Sequence, residues 1–394
     1  MQARIQQLAK TYLPDLINWR RHLHQHPELS YQEFETAKFV QDKLTEWKIP
    51  FQVMAGTGVI GLIKGNNPDK KTIALRADLD ALPIQEENNI SFRSCKPGIM
   101  HACGHDVHTA CLLGAARILQ ETKEEWEGTV KLIFQPGEEK NPGGASLLIK
   151  EGVLENPRPD GIFALHVHTT LETGKVSFRA GKVMASADEI YITVHGKGGH
   201  AASPHAAIDP ILISAQLITS LQQLISRRND PFNPSVLSIT SIQGGNTTNV
   251  IPDQVKLMGT FRALDEKWRF EAHQLIRTTT EQLVQSMGGK ADLQIDVGYP
   301  CVVNETNLTT QAQQQACVFM GDVQVSETEV RMGAEDFGFY AQEIPACFFR
   351  LGTRNTEKGI THGVHTSKFD VDESAMEHGA GLLAWLAVSV NPAT

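Results

Sequence analysis

The chain has no cysteine framework, no cationic tract and no long apolar run, and each absence removes a class of protein. Its six cysteines, Cys95, Cys103, Cys111, Cys301, Cys317 and Cys347, follow no repeated spacing, so a disulfide-stapled fold is excluded and reduced thiols are expected. Five are expected to be buried and inert, since a free cysteine behaves as a small hydrophobe. Cys103 is set apart by its neighbours. With 36 Lys and Arg against 45 Asp and Glu, the net charge is -9 at pH 7, which argues against a nucleic-acid partner because phosphate neutralisation needs clustered cations. Small solutes are the expected partners. No apolar run is long enough to span a bilayer, and residues 1–10 read as a polar amphipathic helix rather than a signal-peptide core. A protein without membrane attachment, in the cytoplasm, is the expectation.

At 394 residues the chain exceeds the size at which one core keeps growing, so two domains are expected. Apolar positions at helical spacing (Phe34, Ala37, Val40, Leu44, Trp47) predict a helix over 33–47, closed by Pro50. Short apolar runs at 59–63, 72–76, 130–135 and 161–168 predict buried strands, and their alternation with helices indicates an α/β layer. From 185 to 298 the order changes to strand 188–195, helix 207–227, strands 235–243 and 254–262, helix 265–287 and strand 291–297. That β-α-β-β-α-β order is ferredoxin-like and commonly forms its own unit. The expected organisation is therefore a discontinuous catalytic domain, 1–184 and 299–394, interrupted by a domain at 185–298.

The densest chemistry lies in Met100-His101-Ala102-Cys103-Gly104-His105-Asp106-Val107-His108. Gly104 lets the backbone turn so that Cys103 and His105 can reach one centre. A bare Cys-x-His otherwise reads as a buried thiol beside a helix-capping histidine. The company of Glu138-Glu139 changes that reading. This pair follows a strand run and Pro136-Gly137, the place where open α/β sheets put ligand sites. Thiolate, imidazole and carboxylate together suit borderline-soft divalent ions. One carboxylate would bind metal while its neighbour shuttles a proton; the bland alternative is a solvated acidic pair. His166 or His168, at the end of an apolar run, and His362 or His365, late in the chain, are further candidate ligands.

Arg21-His22-Leu23-His24-Gln25-His26-Pro27-Glu28-Leu29-Ser30, Asp78-Leu79-Asp80-Ala81-Leu82-Pro83, His101-Ala102-Cys103-Gly104-His105-Asp106, Glu138-Glu139 and Gly333-Ala334-Glu335-Asp336-Phe337 occur in that order along nearly the whole chain. In this the chain resembles the M20 metallopeptidase family, and within it the amidohydrolase branch of aminoacylase-like, hippurate and auxin-conjugate hydrolases. The resemblance implies an α/β fold: a mixed-sheet dimetal hydrolase domain with an inserted ferredoxin-like lid. It implies metal ligands Cys103, His105, Glu139, His166 and His365, with Cys103 bridging two ions, Glu138 as general base and Asp80 orienting a ligand histidine. The chain departs from the peptidase branch at Asp78, where that branch has His, and at Cys103, where it has a bridging Asp. Zn, Mn, Co and Ni all remain compatible with such a mixed donor set. In the insertion, His200, Asn249 and Arg262 match substrate-binding positions of the family; Arg262 would hold a carboxylate through paired hydrogen bonds. The family also implies a homodimer paired through the inserted domain, with His200 reaching the partner's site.

The expected activity is hydrolysis of N-acyl amino acids, two divalent ions per chain assisting Glu138 and His200 stabilising the oxyanion. A metallo-carboxypeptidase or dipeptidase, or an N-acetyl-diaminopimelate deacetylase-like enzyme, is the alternative within the family. From other classes, a hydrolase with Cys103 as nucleophile would leave the Glu pair and later histidines without roles. A binding module with a structural ion would not need a free carboxylate beside a closed ligand shell.

Overall fold

Strands covered by helices on both faces are buried along their whole length, and the central strands show this: every residue of Thr72–Asp78 and of Thr129–Gln135 is buried, the polar ones among them paired. In this computed structural model, which describes residues 1–391, these strands lie inside an eight-stranded sheet. Its order is Phe51–Met54, Gly58–Lys64, Thr129–Gln135, Thr72–Asp78, Gly161–Glu172, Ala346–Arg354, Val176–Phe178 and Val325–Glu327. The strands beginning at 129, 72, 161 and 346 run parallel. Gly58–Lys64 joins them antiparallel, so the sheet is mixed.

Helix His105–Glu121 is buried on nearly every side, because the first helix, Gln2–Gln25, and the last, Ala375–Ser389, pack against it over the sheet. Gly114 permits that approach: a Cβ there would lie 2.8 Å from the Ala380 Cβ and 3.0 Å from Leu16 Cδ2. The first helix is longer than the pattern over 1–10 indicated. It continues through Pro14 because Leu16, Trp19, Arg20 and Leu23 carry its buried face onward.

The chain divides into two compact units, one of residues 1–183, 303–329 and from 336 on, the other of 184–302 and 330–335. Residues 330–335 rejoin the second unit through the Met184–Arg331 bridge and hydrogen bonds from Ala185 N to Arg331 O and Gly333 O, each 3.1 Å. The second unit holds an antiparallel four-stranded sheet in the order Ser235–Gln243, Gln254–Ala263, Asp188–His195, Lys290–Val297. Helices Pro210–Gln223 and Glu266–Ser286 supply Ile213, Leu217, Ala272 and Ile276 to the core facing Ile190, Ile192 and Val194. This is the ferredoxin-like arrangement. The first of these helices starts at Pro210 rather than 207, because the Asp209 side chain accepts from Ile211 N and Leu212 N and proline suits the first turn.

All six cysteines are free. The expectation of five buried, inert thiols needs correction: Cys95 is exposed on a loop and Cys317 is half-buried on its helix, whereas Cys111, Cys301 and Cys347 are buried. Among the described residues no helix is long and apolar enough to cross a membrane.

Candidate metal centre

The carboxyl ends of the parallel strands deliver the polar residues. Thr72–Asp78 ends at Asp78 and leads to Asp80; Thr129–Gln135 leads through Pro136-Gly137 to Glu138 and Glu139; Gly161–Glu172 carries His166. Cys103 and His105 enter at the start of helix His105–Glu121, across Gly104 at φ 90°. A Cβ on Gly104 would lie 2.5 Å from Val167 Cγ2, so the turn that separates the two donors excludes any side chain. His365 arrives from a distant loop. Its backbone N–H donates to Ala102 O at 2.7 Å and its φ is 61°, a conformation rare for a non-glycine residue.

Five donors converge. Cys103 Sγ lies 3.4 Å from His166 Nε2 and 3.3 Å from His365 Nε2. Glu139 Oε1 lies 3.2 Å from His365 Nε2 and 4.0 Å from His105 Nε2. Donor atoms of Cys103, His105 and His166 fall within 4.8 Å of one another, as do those of Cys103, Glu139 and His365, and those of His105, Glu138 and Glu139. Cys103, His105 and Glu139 each belong to two of these groups, so the groups share donors and form one continuous cluster.

Hydrogen bonds behind the cluster fix which atoms face inward. His105 Nδ1 donates to Asp80 O at 2.8 Å and lies 3.2 Å from Asp80 Oδ1, leaving Nε2 bare. His166 Nδ1 donates to Val167 O at 2.8 Å, which leaves Nε2 as the acceptor that meets Cys103 Sγ at 3.4 Å. Asp80 Oδ2 accepts from Ser30 Oγ at 2.6 Å and from Glu139 N at 2.9 Å, so one carboxylate orients His105 and holds the backbone of Glu139. Asp78 binds His108 Nδ1 at 2.6 Å, and His108 Nε2 accepts from Val167 N at 3.0 Å, which braces the strand next to His166.

These residues fit a divalent ion on their own chemistry. His105 Nε2 is a buried polar atom with no hydrogen-bond partner, and it faces Glu139 Oε1, which also meets His365 Nε2. Burial disfavours charge on His105, yet Asp78, Cys103 and Asp80 outweigh it and hold its pKa well above the ordinary histidine value. Hydrogen bonds to Cys103 and Glu139 raise that of His365 to about 10. Burial, then the Glu139 charge, pushes the Cys103 thiol up. A cluster that attracts positive charge this strongly suits a cation, whose binding would release those protons.

The other residues of the His-rich stretch serve the scaffold. His101 is buried with neither ring nitrogen partnered, and burial lowers its pKa to about 4. Asp106 turns away from the cluster to Arg20 Nε and His24 Nδ1, both at 2.8 Å. His168 lies outside the cluster, its Nδ1 accepting from Thr170 Oγ1 at 3.3 Å, and His362 is exposed. Beside Glu139 opens a cavity of about 260 Å³ lined by Leu29, Ala81, Leu82 and Pro83 together with Ser30, Gln32 and Lys140. Sequence reasoning quoted Ser30 and His108 within its motifs without giving them a role and passed over Tyr31 and Glu33; all four touch the cluster's supports.

In the second unit, strand pair Gly199–His200 and Val250–Ile251 places His200 opposite Val250, with Ala201 N donating to Asn249 O at 3.0 Å. His200 is exposed and its Nδ1 accepts from Ala202 N at 3.0 Å. Arg262 is half-buried on Gln254–Ala263, its Nε donating to Thr260 Oγ1 at 3.1 Å. Among the described residues no carboxylate lies within ion-pair distance of its guanidinium, and burial lowers its pKa.

The model of peptidase family M20/M25/M40 matches residues 74–388. Thermostable carboxypeptidase 2 of Saccharolobus solfataricus is 41% identical over 378 residues, covering 95% of this chain and 94% of its own length. IAA-amino acid hydrolase ILR1-like 5 of Arabidopsis thaliana is 41% identical over 398 aligned positions, covering 97% and 90%. Among solved structures, the Bacillus subtilis YXEP protein, a dinuclear metal-binding peptidase from the M20 family, superposes with a TM-score of 0.83 at 37% identity over 96% of this chain and 98% of its own.

Proposed function

Because the chain belongs to peptidase family M20, a family of metal-dependent hydrolases, we propose that it cleaves the amide bond of N-acyl amino acids, giving a carboxylic acid and a free amino acid. The observation that carries this reading is the convergence of Cys103, His105, Glu139, His166 and His365 with Glu138 alongside. Two divalent ions per chain, of Zn, Mn, Co or Ni, would be held by those five residues and would supply carbonyl polarisation and a lowered pKa for the attacking water. Glu138, buried and next to Glu139, takes the water's proton as the new C–O bond forms. It then gives that proton to the amine nitrogen as the C–N bond breaks. His200 donates to the tetrahedral oxyanion, and we place it in a homodimer's shared site. Arg262 and Asn249 hold the substrate's α-carboxylate; the unpaired, half-buried guanidinium supports that role. The apolar wall of the cavity beside Glu139, formed by Leu29, Ala81, Leu82 and Pro83, suits the hydrocarbon part of such a substrate.

A Cys103 nucleophile is disfavoured, because reactive thiols have depressed pKa values and this one is raised. A carboxypeptidase reading is favoured by the relative of that name and shares the need for a free carboxylate. The test is a panel of N-acyl amino acids, blocked dipeptides and the carboxamide of each. Losing a charge-assisted hydrogen bond is worth roughly 1.5–3 kcal/mol, so carboxamides should fall about 10- to 100-fold in kcat/KM, with Arg262→Ala erasing the difference. Equal rates for acid and carboxamide would remove the carboxylate grip. Activity confined to blocked dipeptides would favour the carboxypeptidase.

A further inference from the structure

Two residues that the chemistry above does not use anchor both flanks of the loop bearing Glu138 and Glu139. Glu33 is fully buried; its Oε1 accepts from Gly137 N at 2.8 Å and from Tyr31 N at 2.9 Å, and its Oε2 accepts from Thr57 Oγ1 at 2.7 Å. The Tyr31 hydroxyl donates to Lys140 O at 2.6 Å and accepts from Gly143 N at 3.0 Å. The loop is thus gripped at Gly137, just before the carboxylate pair, and at Lys140 and Gly143, just after it. Gly144 N donates to Gly137 O at 2.9 Å and closes the loop on itself.

The grip is tight enough to constrain both partners. Tyr31 holds φ at 66°, a conformation that costs a non-glycine residue on the order of 1 kcal/mol and persists only where surroundings impose it. Gly137, at φ 55°, lies so close to the Tyr31 ring that a Cβ would sit 2.3 Å from Cε1. The adjacent Ser30 extends the same segment to Asp80 Oδ2, which also accepts from Glu139 N. A single stretch, 30–33, therefore reaches the loop at Gly137, Lys140 and Gly143 and, through Asp80, at Glu139.

We propose that Tyr31 and Glu33 are positioning residues that fix the Glu138 carboxylate relative to the donor cluster, acting through the backbone of the Gly137–Gly143 loop. This rests on the reading of Glu138 as general base. Displacing a catalytic group by about 1 Å can cost on the order of 100-fold in rate, so the effect belongs in kcat. Tyr31→Phe keeps the ring against Gly137 and removes only the hydroxyl; kcat should fall roughly 10- to 100-fold, with KM within about twofold and metal content unchanged. Glu33 serves as an acceptor. Glu33→Gln keeps an oxygen for Gly137 N and Tyr31 N and can donate to Thr57 Oγ1, so it should stay within about threefold of wild type, whereas Glu33→Leu should lose activity like Tyr31→Phe.

The decisive experiment measures kcat, KM, metal per chain and thermal unfolding for Tyr31→Phe, Glu33→Gln, Glu33→Leu, Glu138→Gln and the double variant Tyr31→Phe/Glu138→Gln. In the Glu138→Gln background, removing the hydroxyl should cost less than about twofold, because the group it positions is gone. Wild-type kcat in Tyr31→Phe beside an inactive Glu138→Gln would overturn the positioning role alone. Full activity of Glu138→Gln would overturn the general-base reading first. A Tyr31→Phe defect that appears as lost metal or raised KM, or that persists in the double variant, would overturn the positioning of Glu138 and assign Tyr31 to Glu139 or to the fold as a whole.

Discussion

Glu138→Gln is expected to lower kcat by about 10²- to 10⁴-fold, the span that a positioned general acid–base supplies, while the protein keeps its metal. Glu139→Gln should lose metal as well as turnover. The two carboxylates differ in surroundings rather than in chemistry. Glu139 Oε1 faces His105 Nε2 and His365 Nε2, whereas Glu138 groups with His105 and Glu139 and also with Asp336. Elemental analysis alongside steady-state kinetics separates the roles. Full metal and comparable activity in both variants would reduce the pair to buried scaffold charge.

Arg76→Met is expected to destabilise the first unit by about 3–5 kcal/mol, the cost of leaving buried carboxylates without their cation. The Arg76 guanidinium is buried in the central strand and spreads its donors over three elements: Nη1 to Asp78 Oδ2 at 2.7 Å, Nη2 to Asp336 Oδ1 at 2.8 Å, and Nε to Gln135 Oε1 at 3.0 Å. Methionine matches the stem in length and leaves Asp78 and Asp336 facing each other's field. Asp336 retains Gln135 Nε2 and Ala145 N, which lessens but does not replace the lost charge. Urea unfolding followed by circular dichroism reads the change. A midpoint within error of wild type would show that the surrounding hydrogen bonds alone hold these carboxylates.

Local chemistry was the most legible part of the chain. Cys103-Gly104-His105 and Glu138-Glu139 carry their meaning in adjacent residues, and the βαββαβ order of the inserted unit is written in period-2 runs such as Ile190, Ile192 and Val194. Choosing among nearby histidines was different. The alternation of a strand puts His166 and His168 on one side, yet His166 meets Cys103 whereas His168 Nδ1 accepts from Thr170 Oγ1, a choice that alternation alone does not make. His365 reaches Cys103 because of a backbone bond to Ala102 and a positive φ, neither of which leaves a mark in composition. Cys317 is half-exposed because of the face its helix turns outward. The supports from Tyr31 and Glu33 join residues about a hundred positions apart, beyond the reach of any spacing rule.

Two ions in one cluster is the claim on which the rest depends, and metal stoichiometry measured on active protein tests it most directly. Freshly purified, catalytically active chain should carry two divalent ions by elemental analysis. A strong chelator should abolish turnover of an N-acyl amino acid, and Zn, Mn, Co or Ni should restore it, because five donors exceed what one tetrahedral ion with an open position uses. Active protein that holds one ion or none, and is indifferent to the chelator, would contradict the dimetal site.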